Sequence, residues 1–156
     1  MTAPLEHPSR FAAEAPDRPA VVMAGTGQVV TYGEMEDRSR RVGHLLRSFG
    51  LETGGTVAVL LENRAEFFEV VWGALRTGLH VTPINWHLAP DEAAYIVTDS
   101  GATALVASAG LGDVVRELAA GGGTLTGRVA VGDGLAGFDD YEQALAAQPA
   151  TRPPDE

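Results

Sequence analysis

Short apolar runs alternate with longer amphipathic segments in this chain, and this alternation limits the fold more than any other sequence feature. The apolar runs occupy residues 56–61, 79–84, 103–107 and 128–131. A run that is apolar throughout is typical of a parallel strand covered on both faces. Each of the first three runs is followed by helical spacing of apolar residues, which favours right-handed crossovers. The sequence therefore predicts a three-layer α/β fold of parallel βαβ units.

A β-hairpin and a long helix are predicted ahead of these units. Residues 20–23 and 28–31 are β-prone and flank a loop that contains glycine. Thr31 then begins a helix, because Glu34 three residues later completes a capping box with it. This helix is predicted over residues 32–49, and the glycine that follows is suited to end it.

Three further helices complete the predicted pattern. The first has Asn63 as its N-cap and runs to about Thr77, the second begins at Pro90, and the third covers residues 111–120. Each signal combines a residue that favours a helix end with apolar residues at helical spacing.

Proline content divides the chain into three parts. Residues 1–19 hold four prolines, so we expect an N-terminal arm with only a short helical turn at residues 11–14. Residues 20–148 form the predicted α/β subdomain. Residues 149–156 are again rich in proline and are predicted to be a linker.

Composition excludes several classes of function. The formal net charge is -10 and all 11 basic residues are arginine, which argues against nucleic-acid binding because that relies on clustered cations. The absence of cysteine excludes a disulfide scaffold, a zinc-thiolate site and a cysteine nucleophile. Residues 1–8 do not resemble a signal peptide, and no apolar run is long enough to span a membrane. We therefore expect a cytoplasmic protein.

Two motifs, supported by two weaker ones, carry a resemblance to a known family. Residues 30–35 read Val-Thr-Tyr-Gly-Glu-Met, and residues 73–85 read Gly-Ala-Leu-Arg-Thr-Gly-Leu-His-Val-Thr-Pro-Ile-Asn. Residues 62–67 and 88–92 add matching signals at matching spacing. Together they resemble the N-terminal portion of AMP-forming acyl-CoA synthetases, in the adenylate-forming ligase superfamily. The one departure within the first motif is Met35, where the family usually has leucine.

This resemblance implies the reaction of a longer parent protein. ATP and Mg²⁺ would convert a carboxylic acid to an acyl adenylate, and CoA would then displace AMP. The resemblance also implies that the phosphate loop with its Pro-Lys-Gly sequence, the catalytic lysine and the acyl pocket lie downstream. The chain contains no lysine, so we expect a fragment without catalytic residues of its own, inactive alone, that ends in a linker toward that loop.

One candidate site follows the predicted strand at residues 79–84. Asn85, Trp86 and His87 lie just beyond the carboxyl end of this strand, where ligands of open α/β sheets commonly bind. The resemblance implies that this turn helps to hold the CoA nucleotide, as it does in some relatives, so Trp86 is a candidate to stack on adenine or to flank the thiol channel. The alternative is that Trp86 packs under a loop and His87 is solvated.

Other motifs do not indicate a site. The glycine-rich residues 121–127 lack lysine and follow a helix, unlike a phosphate loop. The four histidines show no metal-ligand spacing. Ser108 lacks the preceding glycine of a nucleophile elbow. The carboxylates of Glu34, Glu36 and Asp37 are interpreted as a charged helix start. No metal site is predicted.

Partners follow from the fragment interpretation. The remainder of the parent ligase is the first expected partner, and an apolar face left exposed without it would promote dimerisation or aggregation. Two alternatives stay open. The chain could be a stand-alone α/β module that binds a nucleotide or CoA, or a structural partner that docks onto a separate catalytic subunit.

Overall fold

A five-stranded parallel sheet forms the middle layer of this computed structural model, which describes residues 7–120, 125–154 and 156. The helices are α1 Pro8–Glu14, α2 Tyr32–Ser48, α3 Ala65–Arg76, α4 Pro90–Asp99, α5 Gly112–Ala120 and α6 Tyr141–Ala146. The strands are β1 Pro19–Val22, β2 Val29–Thr31, β3 Thr56–Leu60, β4 His80–Pro83, β5 Ala104–Ser108, β6 Gly127–Val131 and β7 Asp139–Asp140. A 3-10 turn at Ala109–Leu111 precedes α5.

The large sheet has the strand order β4-β3-β5-β6-β7, and every neighbouring pair is parallel. In the register of the central strands, Leu60 lies opposite Ala107 and Ser108 lies opposite Val131. Strands β1 and β2 form a separate antiparallel pair. The predicted hairpin and parallel sheet are therefore confirmed.

Helices cover both faces of the large sheet. On one face, Val42, Leu46 and Val70 of α2 and α3 pack with Val57 and Val59 of β3, and α6 joins this cluster. The opposite face of β3 and β5 packs against α4 and α5, through the buried residues Ala58, Leu60, Leu105, Ala93, Val97, Val115 and Leu118. Burial of both faces explains why the strands are apolar at consecutive positions, and the predicted three layers are confirmed.

The start of α2 follows the predicted capping box. The Thr31 N–H donates to Glu34 Oε2 at 2.8 Å, and the Glu34 N–H donates to Thr31 Oγ1 at 3.2 Å. Gly50 has a φ of +86°, as suits the residue after a helix end.

The predicted N-cap of α3 is wrong by one residue. Arg64 rather than Asn63 is the N-cap, and it makes no side-chain cap hydrogen bond. Its guanidinium instead pairs with Glu66 in the first turn, at 3.3 Å. The local capping preference of asparagine therefore does not set this helix start.

Described residues near both ends of the chain contact α2. The Gly33 N–H donates to the Pro16 carbonyl at 2.9 Å, and the rings of Phe11 and Tyr32 lie 5.1 Å apart between centroids. Near the other end, Arg41 donates to the Gln148 carbonyl at 2.7 Å. The arm contains α1, which is longer than the turn predicted at residues 11–14. The linker role of residues 149–156 stays a prediction.

A buried ion pair joins α2 to α3. The side chain of Arg76 is 0% exposed, and its Nη2 lies 2.6 Å from Glu36 Oε2. Arg40 also contacts Glu36, at 2.9 Å, and Glu156 approaches Arg76 at 3.4 Å. The sequence indicated Glu36 only as part of a charged helix start, because the partner lies forty residues away in the chain.

A second polar network joins α2, α3 and α6. Arg38 Nε donates to Glu69 Oε1 at 2.6 Å, and the Tyr141 hydroxyl donates to Glu69 Oε2 at 2.8 Å. Burial raises the pKa of Glu69, an effect that these two hydrogen bonds oppose. Burial and the charge of Glu69 raise the pKa of Tyr141, so its hydroxyl stays a donor.

The crossing of α2 and α3 generates a prediction. A Cβ atom at Gly73 would lie 2.5 Å from Val42 Cβ and 2.8 Å from the Ser39 carbonyl oxygen. We expect Gly73→Ala to lower the free energy of unfolding by about 2–3 kcal/mol, because the helices must separate. Urea denaturation measures this. Gly25→Ala is the control, since a Cβ there meets no described atom within 4 Å. Equal stability of both variants would contradict the argument.

Candidate ligand site at the carboxyl edge of the sheet

The carboxyl ends of the parallel strands meet at one edge of the large sheet. The chain passes from β3 to β4 on one side and then crosses back to β5 on the other side of β3. This reversal makes the β3/β5 junction a topological switch point, and ligands of open α/β sheets bind outside the carboxyl ends at such points. The edge is therefore the first place to seek a site.

The predicted turn at Asn85, Trp86 and His87 lies at this edge, beyond β4. Asn85 Oδ1 accepts the His87 N–H at 3.0 Å, which fixes the turn locally. The rings of Trp86 and His87 lie against each other, with centroids 3.5 Å apart and planes 32° apart. Trp86 is 38% exposed, so it does not pack under a loop. The turn presents an aromatic surface, and its contact with CoA stays a prediction.

Two polar side chains that lie together at the switch point were not predicted from the sequence. Glu62 follows β3 and Ser108 ends β5, and both approach the backbone at Gly110. A Cβ atom at Gly110 would lie 3.5 Å from Glu62 Oε1 and 3.6 Å from Ser108 Oγ. The sequence signal was positional, since each residue lies at the carboxyl end of a predicted strand. The local sequence around Ser108 was compared only with a nucleophile elbow, which it does not match.

The loop after β6 lies close to the same edge residues. A Cβ atom at Gly132 would lie 3.7 Å from Ala109 Cβ and 3.8 Å from Arg64 Nη1. Arg64 is paired with Glu66 and lies two residues from Glu62, so two carboxylates accompany one guanidinium in this segment. This local charge is not suited to holding a phosphate group.

A cavity of about 700 Å³ opens beside the same segment, between the hairpin, α1 and the start of α3. Its lining is mainly apolar and includes Phe11, Val21, Met23, Phe67, Phe68 and Trp72. Glu62, Asn63 and Arg64 supply polar groups at its border with the sheet edge. An apolar cavity with few polar groups is a common setting for ligand binding or for packing of a further segment.

No group of three or more His, Asp or Glu side chains suited to a metal ion occurs in the described part of the chain. His7 caps α1 through Nδ1 and contacts the Trp72 ring edge-on at 5.2 Å. Burial, followed by the positive charge of Arg76, lowers the pKa of His7, which favours its neutral form.

Two further sequence features concern binding only indirectly. Residues 121–124 of the glycine-rich segment lie outside the described residues, and Thr126 hydrogen-bonds to the Thr103 carbonyl at 2.7 Å as the chain enters β6. None of the described helices has the length and apolar character needed to cross a bilayer.

Known proteins resemble this chain over most of its length. The family model described as AMP-binding enzyme matches residues 9–154. The fatty acid–acyl-carrier-protein ligase ScoC of Streptomyces coeruleorubidus is 32% identical over 112 residues, 72% of this chain and 21% of the relative. The long-chain-fatty-acid–CoA ligase FadD13 of Mycobacterium tuberculosis is 32% identical over 139 residues, 87% of this chain and 27% of the relative.

Solved structures share the fold. A long-chain-fatty-acid CoA ligase structure from Rhodopseudomonas palustris matches with a TM-score of 0.83 and 28% identity, over 94% of this chain and 37% of that chain. A fatty acyl CoA synthetase from Mycobacterium tuberculosis matches with a TM-score of 0.83 and 28% identity, over 96% of this chain and 29% of that chain.

These two relatives match 72% and 87% of this chain, which spans only about a quarter of their own length. They agree with the motifs at residues 30–35 and 73–85. They also agree with the parallel sheet, because the solved structures that share this fold contain the N-terminal domain of adenylate-forming ligases. The chain therefore belongs to the AMP-binding enzyme family.

Proposed function

We propose that this chain is the N-terminal region of a ligase that joins a carboxylic acid to a thiol through an acyl adenylate. In the first step the acid attacks the α-phosphorus of ATP and releases pyrophosphate, and in the second the thiol of CoA displaces AMP. The observation that carries the proposal is the family match across residues 9–154. The relatives named above are ligases for acyl-carrier protein and for CoA, which both present a thiol.

The role of this part of the ligase is to provide a scaffold rather than phosphate chemistry. Stabilising charge on phosphate oxygens requires cations, usually Lys, Arg and Mg²⁺. The chain has no lysine and a net charge of -10. At the sheet edge, Arg64 is already paired with Glu66 and has Glu62 nearby. ATP and Mg²⁺ would therefore be held by other parts of the parent protein.

Isolated residues 1–156 should not catalyse adenylate formation. We expect acid-dependent exchange of labelled pyrophosphate into ATP to stay at the level of a blank without protein. The reason is that the cations that stabilise charge on the phosphates of ATP would lie on other parts of the parent protein. A complete ligase of the family, assayed in parallel, serves as the positive control. Sustained exchange by the 156-residue chain would contradict the scaffold role.

The turn at Asn85, Trp86 and His87 is proposed to contact the nucleotide of CoA. Trp86 is exposed at the carboxyl edge, and its ring is held against His87. A ring fixed in this way can stack on adenine without a large loss of side-chain freedom, and such stacking contributes about 1–3 kcal/mol per base.

Replacement of the Trp86 ring tests this contact. We expect Trp86→Ala to weaken CoA binding about tenfold by isothermal titration calorimetry, and Trp86→Phe to weaken it less, because one aromatic face remains. Tyr95→Ala is the matched control, since Tyr95 is exposed on α4 and makes no part of the turn. Unchanged CoA binding by Trp86→Ala would exclude the stacking contact.

The apolar face of the hairpin is proposed to pack against the remainder of the ligase, or against a second copy in its absence. Val22 and Val29 are cross-strand partners and are 61% and 47% exposed. Phe68 is exposed at the nearby cavity. Adjacent exposed apolar side chains of this size favour association.

Self-association of the chain should therefore depend on the hairpin. We expect light scattering to detect dimers or larger species that decrease in the double variant Val22→Thr and Val29→Thr, which keeps β-branched side chains. Leu75→Gln on α3 is the control, since it removes an exposed apolar residue elsewhere. A strictly monomeric wild-type chain at high concentration would contradict the proposal.

A stand-alone binding module is the second candidate function. The topological switch point between β3 and β5 favours it, because ligands of open α/β sheets bind at such points whether or not catalysis follows. Nucleotide or CoA binding without turnover would support a module. Co-purification with a separate catalytic subunit would instead support the docking alternative. In each case we propose the cytosol as the compartment, as composition indicated.

A further inference from the structure

The N-terminal helix α1 forms one wall of the apolar cavity. Pro8 and Phe11 of α1 line this cavity together with Trp72 of α3. After α1 the chain is fixed separately, since the Pro16 carbonyl accepts a hydrogen bond from α2 at 2.9 Å and β1 pairs with β2. Movement of residues 7–14 alone would therefore open the cavity and leave the hairpin in place.

The start of α1 depends on an uncharged histidine ring. His7 is the N-cap of α1, and its Nδ1 accepts the Ser9 N–H at 3.2 Å. An imidazole nitrogen accepts a hydrogen bond only while it carries no proton. The Ser9 hydroxyl lies 2.9 Å from the same nitrogen and is able to change from donor to acceptor, but a backbone N–H is not. Protonation of Nδ1 therefore removes the cap of α1.

The second ring nitrogen of His7 lies in a closed environment. His7 Nε2 is buried and has no hydrogen-bond partner among the described residues. The ring meets Trp72 edge-on, with centroids 5.2 Å apart and planes 84° apart. A protonated ring would spread its positive charge over both nitrogens, and no described acceptor reaches Nε2 to offset it. Burial of a charge without a partner is unfavourable, so docked α1 disfavours the protonated ring.

Charged groups of three other segments act on His7. Burial is the largest effect on the His7 pKa, and the buried guanidinium of Arg76 on α3 is the next, and both lower it. Glu36 of α2 and Glu156 act in the opposite direction, while Arg152 lowers the pKa further. The outcome is a pKa below the ordinary histidine value of 6.5. The ring is therefore neutral at neutral pH while α1 is docked.

We propose that α1 is a pH-sensitive wall of the apolar cavity, which stays docked on α2 and α3 while His7 is neutral and is released when His7 takes up a proton. Release would expose Trp72 and open the cavity to solvent.

The direction of the pH dependence follows from the two states of the arm. In released α1 the ring is hydrated and titrates near its ordinary value of 6.5, whereas the docked ring has a lower pKa. Docking is therefore fully favoured above this value and weakens as the pH falls through the pKa of the docked ring. Within that window the ratio of docked to released α1 should fall by up to about tenfold for each pH unit.

Acrylamide quenching of Trp72 fluorescence tests the proposal in the 156-residue chain. Trp86→Phe leaves Trp72 as the only tryptophan, so the indole emission reports on the cavity wall alone. Acrylamide is uncharged, and the acidity of the chain does not affect its access. We expect the quenching of Trp72 to increase as the pH is lowered from about 7.5 to about 5. Quenching that stays constant over this range would overturn the proposal.

A matched pair of variants separates His7 from the other titrating groups. Asparagine is an effective N-cap and gains no proton, so His7→Asn should keep α1 docked and make the quenching of Trp72 independent of pH. His80→Asn is the control, because His80 is exposed on β4 and should leave the transition unchanged. A transition that persists in His7→Asn, or one that disappears in His80→Asn, would show that His7 is not the responsible group.

NMR of the wild-type chain distinguishes release of α1 from unfolding and depends on no variant. We expect the amide signals of Ser9 and Phe11 to shift as the His7 ring takes up its proton, while the amide of Leu105 in the central strand β5 keeps its position. The pKa read from the His7 ring should lie below 6.5. A pKa of His7 at or above this value, or a Leu105 signal that changes together with α1, would contradict the proposed release.

Discussion

A buried arginine holds the two largest helices of this protein together. Arg76 on α3 has no exposed side-chain surface, and its guanidinium meets Glu36 on α2 at 2.6 Å. Burying a charge is unfavourable unless it is paired, so any arrangement that separates these helices strands a charge in the interior. Gly73 permits the close approach, because its missing side chain leaves room for Val42. This ion pair, together with the buried apolar contacts of Val42, Leu46 and Val70, positions α3 and the chain that enters it.

The candidate site inherits its geometry from that packing. Residues 62–64 connect β3, which is fixed by the sheet, to α3, which is fixed by α2. They line the apolar cavity, and Glu62 also approaches Gly110 at the sheet edge. The edge presents a carboxylate, a buried hydroxyl and an aromatic turn. The ionic networks that join the helices involve other residues.

Much of the architecture was predictable because local and tertiary preferences agree. Continuous apolar runs predicted the parallel strands. The spacing of Thr31 and Glu34 predicted the start of α2, and their reciprocal hydrogen bonds confirm it. The N-cap of α3 was predicted one residue early, because Asn63 has the local preference but Arg64 has the extended backbone that the tertiary path requires. For the site, the sequence placed Trp86 at the correct edge. The sequence did not show that Glu62 and Ser108 both approach Gly110, because these two residues are far apart in the chain.

The sequence by itself determined the class of fold, the order of its elements and the family, since these follow from hydrophobic periodicity, capping residues and motifs within single segments. Only the tertiary structure decided which charges are buried and paired, where the cavity lies, and which polar side chains meet at the switch point. The physical reason is that helix packing and strand register act between residues distant in sequence. Glu36 therefore acquires its partner Arg76, and Glu62 and Ser108 approach Gly110, only after folding.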